Sequence, residues 1–230
     1  MLIIFDLDDT LVDTSGCVTY YKLEGALEAM VKAGLVLEDF SQGLELLRRL
    51  NETAFSAKAA LAEFIELLGA DPLFFEIGMQ EIYESALPDL PLFPLEGAVE
   101  LLSLLKIYHR LALVTVGNPS IQMQKLKKAG IDSSVFSKIL VTKEIDKKPL
   151  YQQILDELGV SNREVLVCGD RISRDLTPAR QLGFKTVLMK WGRGLTATLP
   201  SRDVDYSISS LNELKGIISH WTAFSSSFLN

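Results

Sequence analysis

From residue 95 onward, short apolar runs alternate with helical periods. The first residues form another apolar run, which ends in carboxylates, and residues 18–86 are helical in character. Together these features predict an α/β fold: a Rossmann-like parallel sheet with helices on both faces, plus an inserted all-helical cap domain. The expected boundaries are 1–15 and 88–230 for the sheet-bearing core and 16–87 for the insert.

The amino-terminal run organises the rest. Leu2 to Phe5 is apolar and stops abruptly at Asp6, Leu7, Asp8, Asp9 and Thr10. This is the pattern of a buried parallel strand whose carboxyl end opens into a polar site. Ligands of open α/β sheets bind at that end. Asp6 and Asp8 lie two apart, so an extended backbone points both to one face. Two carboxylates about 4 Å apart repel by roughly 4 kcal/mol at an effective dielectric of ~20. A hard cation such as Mg2+ is the simplest partner to offset that. In isolation the motif also fits a strand ending in a solvated acidic turn.

Residues 18–86 are rich in Ala, Leu, Glu and Lys, with few β-branched runs. Leu44, Leu47 and Leu50 sit near helical spacing, and Leu61, Phe64, Ile65 and Leu68 match i, i+3, i+4, i+7. Gly69 is a helix stop, and Asp71-Pro72 starts the next helix, which carries Phe75, Met79, Ile82 and Tyr83. The stretch from Pro88 to Pro94 is proline-rich punctuation. Beyond it, strands are expected at 111–116, 138–141, 164–168 and 185–189, with a last one near 206–208. Helices are expected at 95–107, 120–129, 150–158, up to residue 182, and 211–221. The tail from Ser225 is polar and expected to fray.

Composition narrows the function classes. The 230 residues carry a net charge of −7, which argues against nucleic acid as a partner. The start lacks the basic region of a signal peptide, and no apolar run approaches the ~20 residues of a membrane span. Cys17 and Cys168 fit no metal or redox spacing, and His109 and His220 stand apart, so a His/Cys metal centre is not expected. A reducing, cytoplasmic compartment fits this profile, and composition does not choose between monomer and homodimer.

The residues just beyond each strand carry the chemistry. The first strand gives Asp6, Asp8 and Thr10; the second gives Thr115, Val116, Gly117 and Asn118; the fourth gives Gly169, Asp170 and Asp175. Between the last two groups lies Lys147-Lys148-Pro149. A parallel sheet gathers all of these at one edge. Thr115 can donate its hydroxyl to a phosphate oxygen, and Gly117 lets backbone N–H groups face an anion. The helix near Pro119 turns its amino terminus the same way. Lys148 adds positive charge, although Lys143 and Lys147 compete for that role. Singly, each residue has a bland explanation: a strand-end hydroxyl, a surface lysine, a helix cap. The full set in this order suits a phosphoryl group and a divalent metal.

At this point the sequence resembles the haloacid dehalogenase-like hydrolase superfamily, in its phosphatase branch with a small helical cap, similar to phosphoglycolate phosphatases. Asp6-Leu7-Asp8-Asp9-Thr10 matches the first motif, Thr115 the second, Lys148 before Pro149 the third, and Gly169-Asp170 through Asp175 the fourth. The resemblance implies a phosphatase for a small phosphorylated metabolite, with Asp6 as nucleophile and Asp8 as general acid and base. It implies Mg2+ held by Asp6, the backbone carbonyl of Asp8, Asp170 and Asp175, the last directly or through water. Thr115, Val116, Gly117, Asn118 and Lys148 would hold the phosphoryl oxygens. An acid at position 8 separates phosphatases and phosphomutases from the family's dehalogenases, and the insert resembles the cap that excludes water. Two details depart from common members: the asparagine stands at 118 rather than directly after Thr115, and Arg171 follows Asp170, with Asp175 or Glu144 as candidate partners. A phosphomutase of a sugar phosphate, a phosphotransfer receiver and a regulatory binding module are the alternatives.

Overall fold

A computed structural model describes residues 1–87 and 89–227, the last six of these by backbone alone. The expectation of a frayed tail therefore lies partly outside the described residues, as does Pro88. In chain order the elements are β1 (Leu2–Phe5), α1 (Tyr20–Lys32), α2 (Phe40–Thr53), α3 (Ala57–Leu67), α4 (Leu73–Tyr83), α5 (Ala98–Tyr108) and β2 (Arg110–Val116). There follow α6 (Pro119–Lys128), β3 (Lys138–Thr142), α7 (Lys148–Leu158), β4 (Val165–Gly169), α8 (Thr177–Gln181), β5 (Lys185–Met189), β6 (Tyr206–Ile208) and α9 (Leu214–Ser227).

Two compact units result, Met1–Thr14 with Pro91–Asn230, and Ser15–Leu90. In the first, six strands form one sheet in the order β3-β2-β1-β4-β5-β6, every neighbouring pair parallel. The central strands are apolar over most of their length because both of their faces are covered. Leu2, Ile4, Ala112, Val114, Val165 and Val167 pack against Tyr151 and Ile154 of α7 and Ala179 of α8. The alternate residues Ile3, Phe5, Leu113, Leu166 and Cys168 are equally buried. Strand order reverses at β1, whose neighbours β2 and β4 run off to opposite sides, so the crevice for a ligand falls at its carboxyl end. The segment that re-enters this unit does so by pairing: Asp13 N donates to Phe93 O (3.0 Å) and Leu95 N to Leu11 O (2.8 Å). Those bonds take the proline-rich stretch from residue 91 onward into the sheet-bearing unit.

The second unit is four helices around Leu23, Leu27, Met30, Leu47, Leu61 and Phe64. Asp39 and Ser56 accept from Gln42 N (2.8 Å) and Ala59 N (3.0 Å), capping α2 and α3. Of the expected stripe, Leu61, Phe64 and Ile65 are buried, while Leu68 ends the helix partly exposed. Lys22 has a structural role here. Its ammonium donates to the carbonyls of Glu81 (3.2 Å), Ser85 (2.9 Å) and Ala86 (3.0 Å), and to the Ser85 hydroxyl. It therefore closes the carboxyl end of α4, where unpaired carbonyls and the helix dipole both favour a cation. Lys22→Met is expected to destabilise the protein by about 1–3 kcal/mol, since three carbonyls lose a charged donor. Urea unfolding followed by circular dichroism measures this.

Candidate active site

β1 ends in a turn that sets the acidic groups. Leu7 O accepts from Leu11 N (2.9 Å) and Val12 N (3.0 Å), and Asp9 N donates to Val12 O (2.7 Å). Asp9 takes a left-handed backbone (φ 58°), which aspartate tolerates better than most residues. Asp6 stays in register, its N–H bonded to Cys168 O of β4 (3.0 Å). On β4, Gly169 lacks a side chain for a spatial reason: a Cβ there would lie 2.5 Å from Cβ of Asp175. Asp175 itself rides on a single wide turn of π-helix, Ile172–Leu176, where the sequence predicted an ordinary helix. Its Oδ2 accepts from Arg171 N (2.9 Å), and its carbonyl accepts from the buried Tyr151 hydroxyl (3.2 Å).

These turns bring together Asp6, Asp170 and Asp175, all buried, each with a carboxylate oxygen within 4.8 Å of the others'. Into the group reaches Lys147, only 2% exposed. Its Nζ donates to Asp6 Oδ1 (2.6 Å), Asp175 Oδ1 (2.6 Å) and Val114 O (2.9 Å). The two carboxylates hold its proton more tightly than in water, despite burial. Burial, with Asp175 and Asp8 nearby, lifts Asp6 to about 7, outweighing the pull of Lys147. Burial and Asp175 likewise raise Asp170 well above the usual carboxylate range. Three carboxylates thus share one buried ammonium and one partly exposed guanidinium, Arg171 Nε at 3.2 Å from Asp170 Oδ2. An all-oxygen set with surplus negative charge fits a hard divalent cation.

A second cluster adjoins the first. The Asp8 carboxylate has its own set of partners. Oδ1 accepts from Thr14 Oγ1 (2.5 Å) and Lys125 Nζ (2.7 Å), and Oδ2 accepts from Gln122 Nε2 (3.0 Å). Burial alone would raise its pKa, but Lys125 and these hydrogen bonds together hold it below the usual value. Gln122 Nε2 also donates to Thr115 Oγ1 at 2.6 Å. Thr115, at the end of β2, is 1% exposed. Gly117 comes next but one with φ 153°, donates its N–H to Thr142 O (2.7 Å), and lies where a Cβ would press on Gln122. Asn118 caps α6, its Oδ1 accepting from Ser120 N (3.0 Å).

The family is decided by this chain's match to known proteins. Residues 1–183 match the model of the haloacid dehalogenase-like hydrolases. The chain belongs to that family. It is a hydrolytic enzyme of the phosphatase type represented by its curated relatives. A glyceraldehyde 3-phosphate phosphatase of Pyrococcus abyssi is 29% identical over 84% of this chain and 82% of its own length. The protein of the same name from Pyrococcus furiosus is 28% identical over 94% and 92%. A solved haloacid dehalogenase-like family hydrolase from Xanthomonas campestris superposes with a TM-score of 0.64 at 21% identity, covering 99% and 98% of the two chains.

Within this dehalogenase-like frame, one expectation needs correcting. The lysine in the acidic group is Lys147, not Lys148. Lys148 opens α7 and gives its Nζ to Gln181 Oε1 (3.0 Å), outside the acidic group. The reason is the turn: Asp146 Oδ1 accepts from Lys148 N (2.9 Å), which starts the helix there and leaves Lys147 on its inner side. The Arg171 side chain pairs with Asp170, and its backbone N–H donates to Asp175 Oδ2. Gln122 and Lys125 were not singled out by sequence. A signal existed: together with Leu126 and Ala129 they occupy i, i+3, i+4 and i+7 of the buried stripe of α6, a place normally apolar.

Proposed function

We propose that this enzyme is a Mg2+-dependent phosphatase that hydrolyses a small phosphorylated metabolite through an aspartyl-phosphate on Asp6. The observation that carries this is the buried group of Asp6, Asp170 and Asp175 around Lys147, next to the Thr115 hydroxyl at the sheet's carboxyl edge. Asp6, Asp170 and Asp175 would hold the ion, which when bound offsets the repulsion between these carboxylates and a phosphoryl dianion. A carboxylate oxygen of Asp6 forms the new O–P bond as the ester's P–O bond breaks. Asp8 gives a proton to the departing alkoxide. It stands ionised in the described state, and a phosphoryl dianion arriving beside it raises its proton affinity. In the second half Asp8 takes a proton from water, whose oxygen attacks phosphorus, and inorganic phosphate leaves with Asp6 restored. Thr115 and Lys147 bind the phosphoryl oxygens, together with the N–H groups near Gly117.

We read the unit Ser15–Leu90 as the expected helical cap domain, and the free cysteines Cys17 and Cys168 suit a reducing, cytoplasmic setting. Among the described residues no helix is long and apolar enough to cross a membrane. The relatives' names point to triose phosphates as the substrates to try first. The test is phosphate release from glyceraldehyde 3-phosphate and a panel of small phosphate esters. Turnover is expected with Mg2+, complete loss in EDTA, and recovery when Mg2+ is returned in excess. Turnover that persists through exhaustive chelation would remove the metal from the scheme.

A further inference from the structure

We propose that Gln122 and Lys125, one turn apart on α6, are positioning residues that lock Asp8 and Thr115 into a single preset unit. The inference builds on the phosphatase assignment and adds two residues to it.

The geometry of Gln122 leaves its polarity no freedom. Its Nε2 faces Asp8 Oδ2 (3.0 Å), Thr115 Oγ1 (2.6 Å) and Val116 O (3.4 Å). A backbone carbonyl has no hydrogen to give, so the nitrogen of the amide is the end that faces this group and it donates. Thr115 Oγ1 then accepts from the glutamine, which leaves the hydroxyl's own hydrogen to serve as a donor. A threonine at a strand end otherwise rotates its hydroxyl freely; here one neighbour settles it. Lys125, its side chain 11% exposed, does the same for the acid. With Thr14 it fixes Oδ1 of Asp8, while Gln122 fixes Oδ2, so the carboxylate is held from both oxygens. Placing an amide and an ammonium on a helix's buried stripe costs solvation that only these bonds return. These two positions of the stripe therefore serve the site, while Leu126 and Ala129 serve the core.

The test is steady-state kinetics of the full-length enzyme with Mg2+ on two esters. Glycerol 1-phosphate has an alkoxide leaving group that needs a proton, whereas p-nitrophenyl phosphate has one that leaves without it. Gln122→Glu keeps the shape of the side chain and inverts its polarity: the carboxylate draws the Thr115 hydrogen inward and repels Asp8. It is expected to lower kcat on both esters about tenfold further than Gln122→Ala. Both variants should melt within a few degrees of each other. Lys125→Met keeps the stem and removes the charge. It is expected to lower kcat on glycerol 1-phosphate at least about tenfold more than on p-nitrophenyl phosphate, a part of the 10²–10⁴ that a placed acid supplies, with KM little changed. Lys125→Arg should recover most of that difference. Gln124→Ala, on the exposed side of the same helix, should behave as wild type. A Gln122→Glu enzyme no worse than Gln122→Ala, or a Lys125→Met enzyme impaired equally on both esters, overturns the inference while the phosphatase assignment stands. Wild-type enzyme inert toward both esters and the whole phosphate panel removes that assignment, and the inference with it.

Discussion

Lys147→Met is expected to reduce phosphate release to background and, in metal-free buffer, to destabilise the fold by about 3–5 kcal/mol, the usual result of removing one partner from a buried ion pair. The lysine is 2% exposed and its three hydrogens go to Asp6, Asp175 and the Val114 carbonyl. Methionine fills similar space but leaves two carboxylates facing each other without a cation. Proton uptake by Asp6, already raised to about 7, softens the loss toward the lower figure. Lys148→Met is the matched control. It removes only an exposed hydrogen bond to Gln181, so activity should stay within about threefold and stability within ~0.5 kcal/mol. Phosphate release and guanidinium unfolding of both variants, with and without Mg2+, distinguish the neighbours. If Lys148→Met were the dead enzyme, the arrangement described for Lys147 would not be the working one.

Asp6→Asn is the second large effect, and its two readouts are expected to move apart. Activity should fall by about 10⁴-fold or more, because an amide does not attack phosphorus and loss of a nucleophile leaves only binding and electrostatics. Stability without metal should not fall. The substitution removes one carboxylate from a crowd of three and leaves Lys147 paired with Asp175. The pH dependence arises at the same site. The carboxyl of Asp6 rises from an ordinary 3.8 to about 7 on folding, so the folded state binds the extra proton. Its contribution to stability therefore falls as pH climbs from about 4 to about 7. Asp6→Asn should abolish that part of the slope. Thermal melts in EDTA across this range give the comparison, and an unchanged slope would mean that Asp6 does not carry the proton.

The legible part of this molecule was the part that repeats. Each central strand of the sheet is largely an apolar run bounded by polar punctuation, the pattern that burial on both faces imposes. β6 was expected at the same place although it is short and its first two residues, Tyr206 and Ser207, are exposed. The acids at the strand ends were legible too, because a carboxylate directly after such a run has few structural uses. The hidden part depended on side-chain direction. Lys147 and Lys148 are chemically identical neighbours, and it is the backbone turn at Asp146, not the residue type, that goes with Lys147 facing inward. Gln122 and Lys125 were hidden because a polar residue on a helix usually lies in solvent. The π-helical turn at Ile172–Leu176 has no propensity signature, since its purpose is to carry Asp175 against a glycine.

An ammonium has three hydrogens, and at Lys147 the protein has spoken for every one. Such a group can greet a newcomer only by trading. If a phosphoryl oxygen is to be met there, Asp6, Asp175 or the Val114 carbonyl must let go, and Asp6 is the partner whose own charge is spent when it bonds to phosphorus. On the proposed chemistry, arrival and bond-making are one exchange: the hydrogen that quietens the carboxylate beforehand is released to steady the group that carboxylate has just captured.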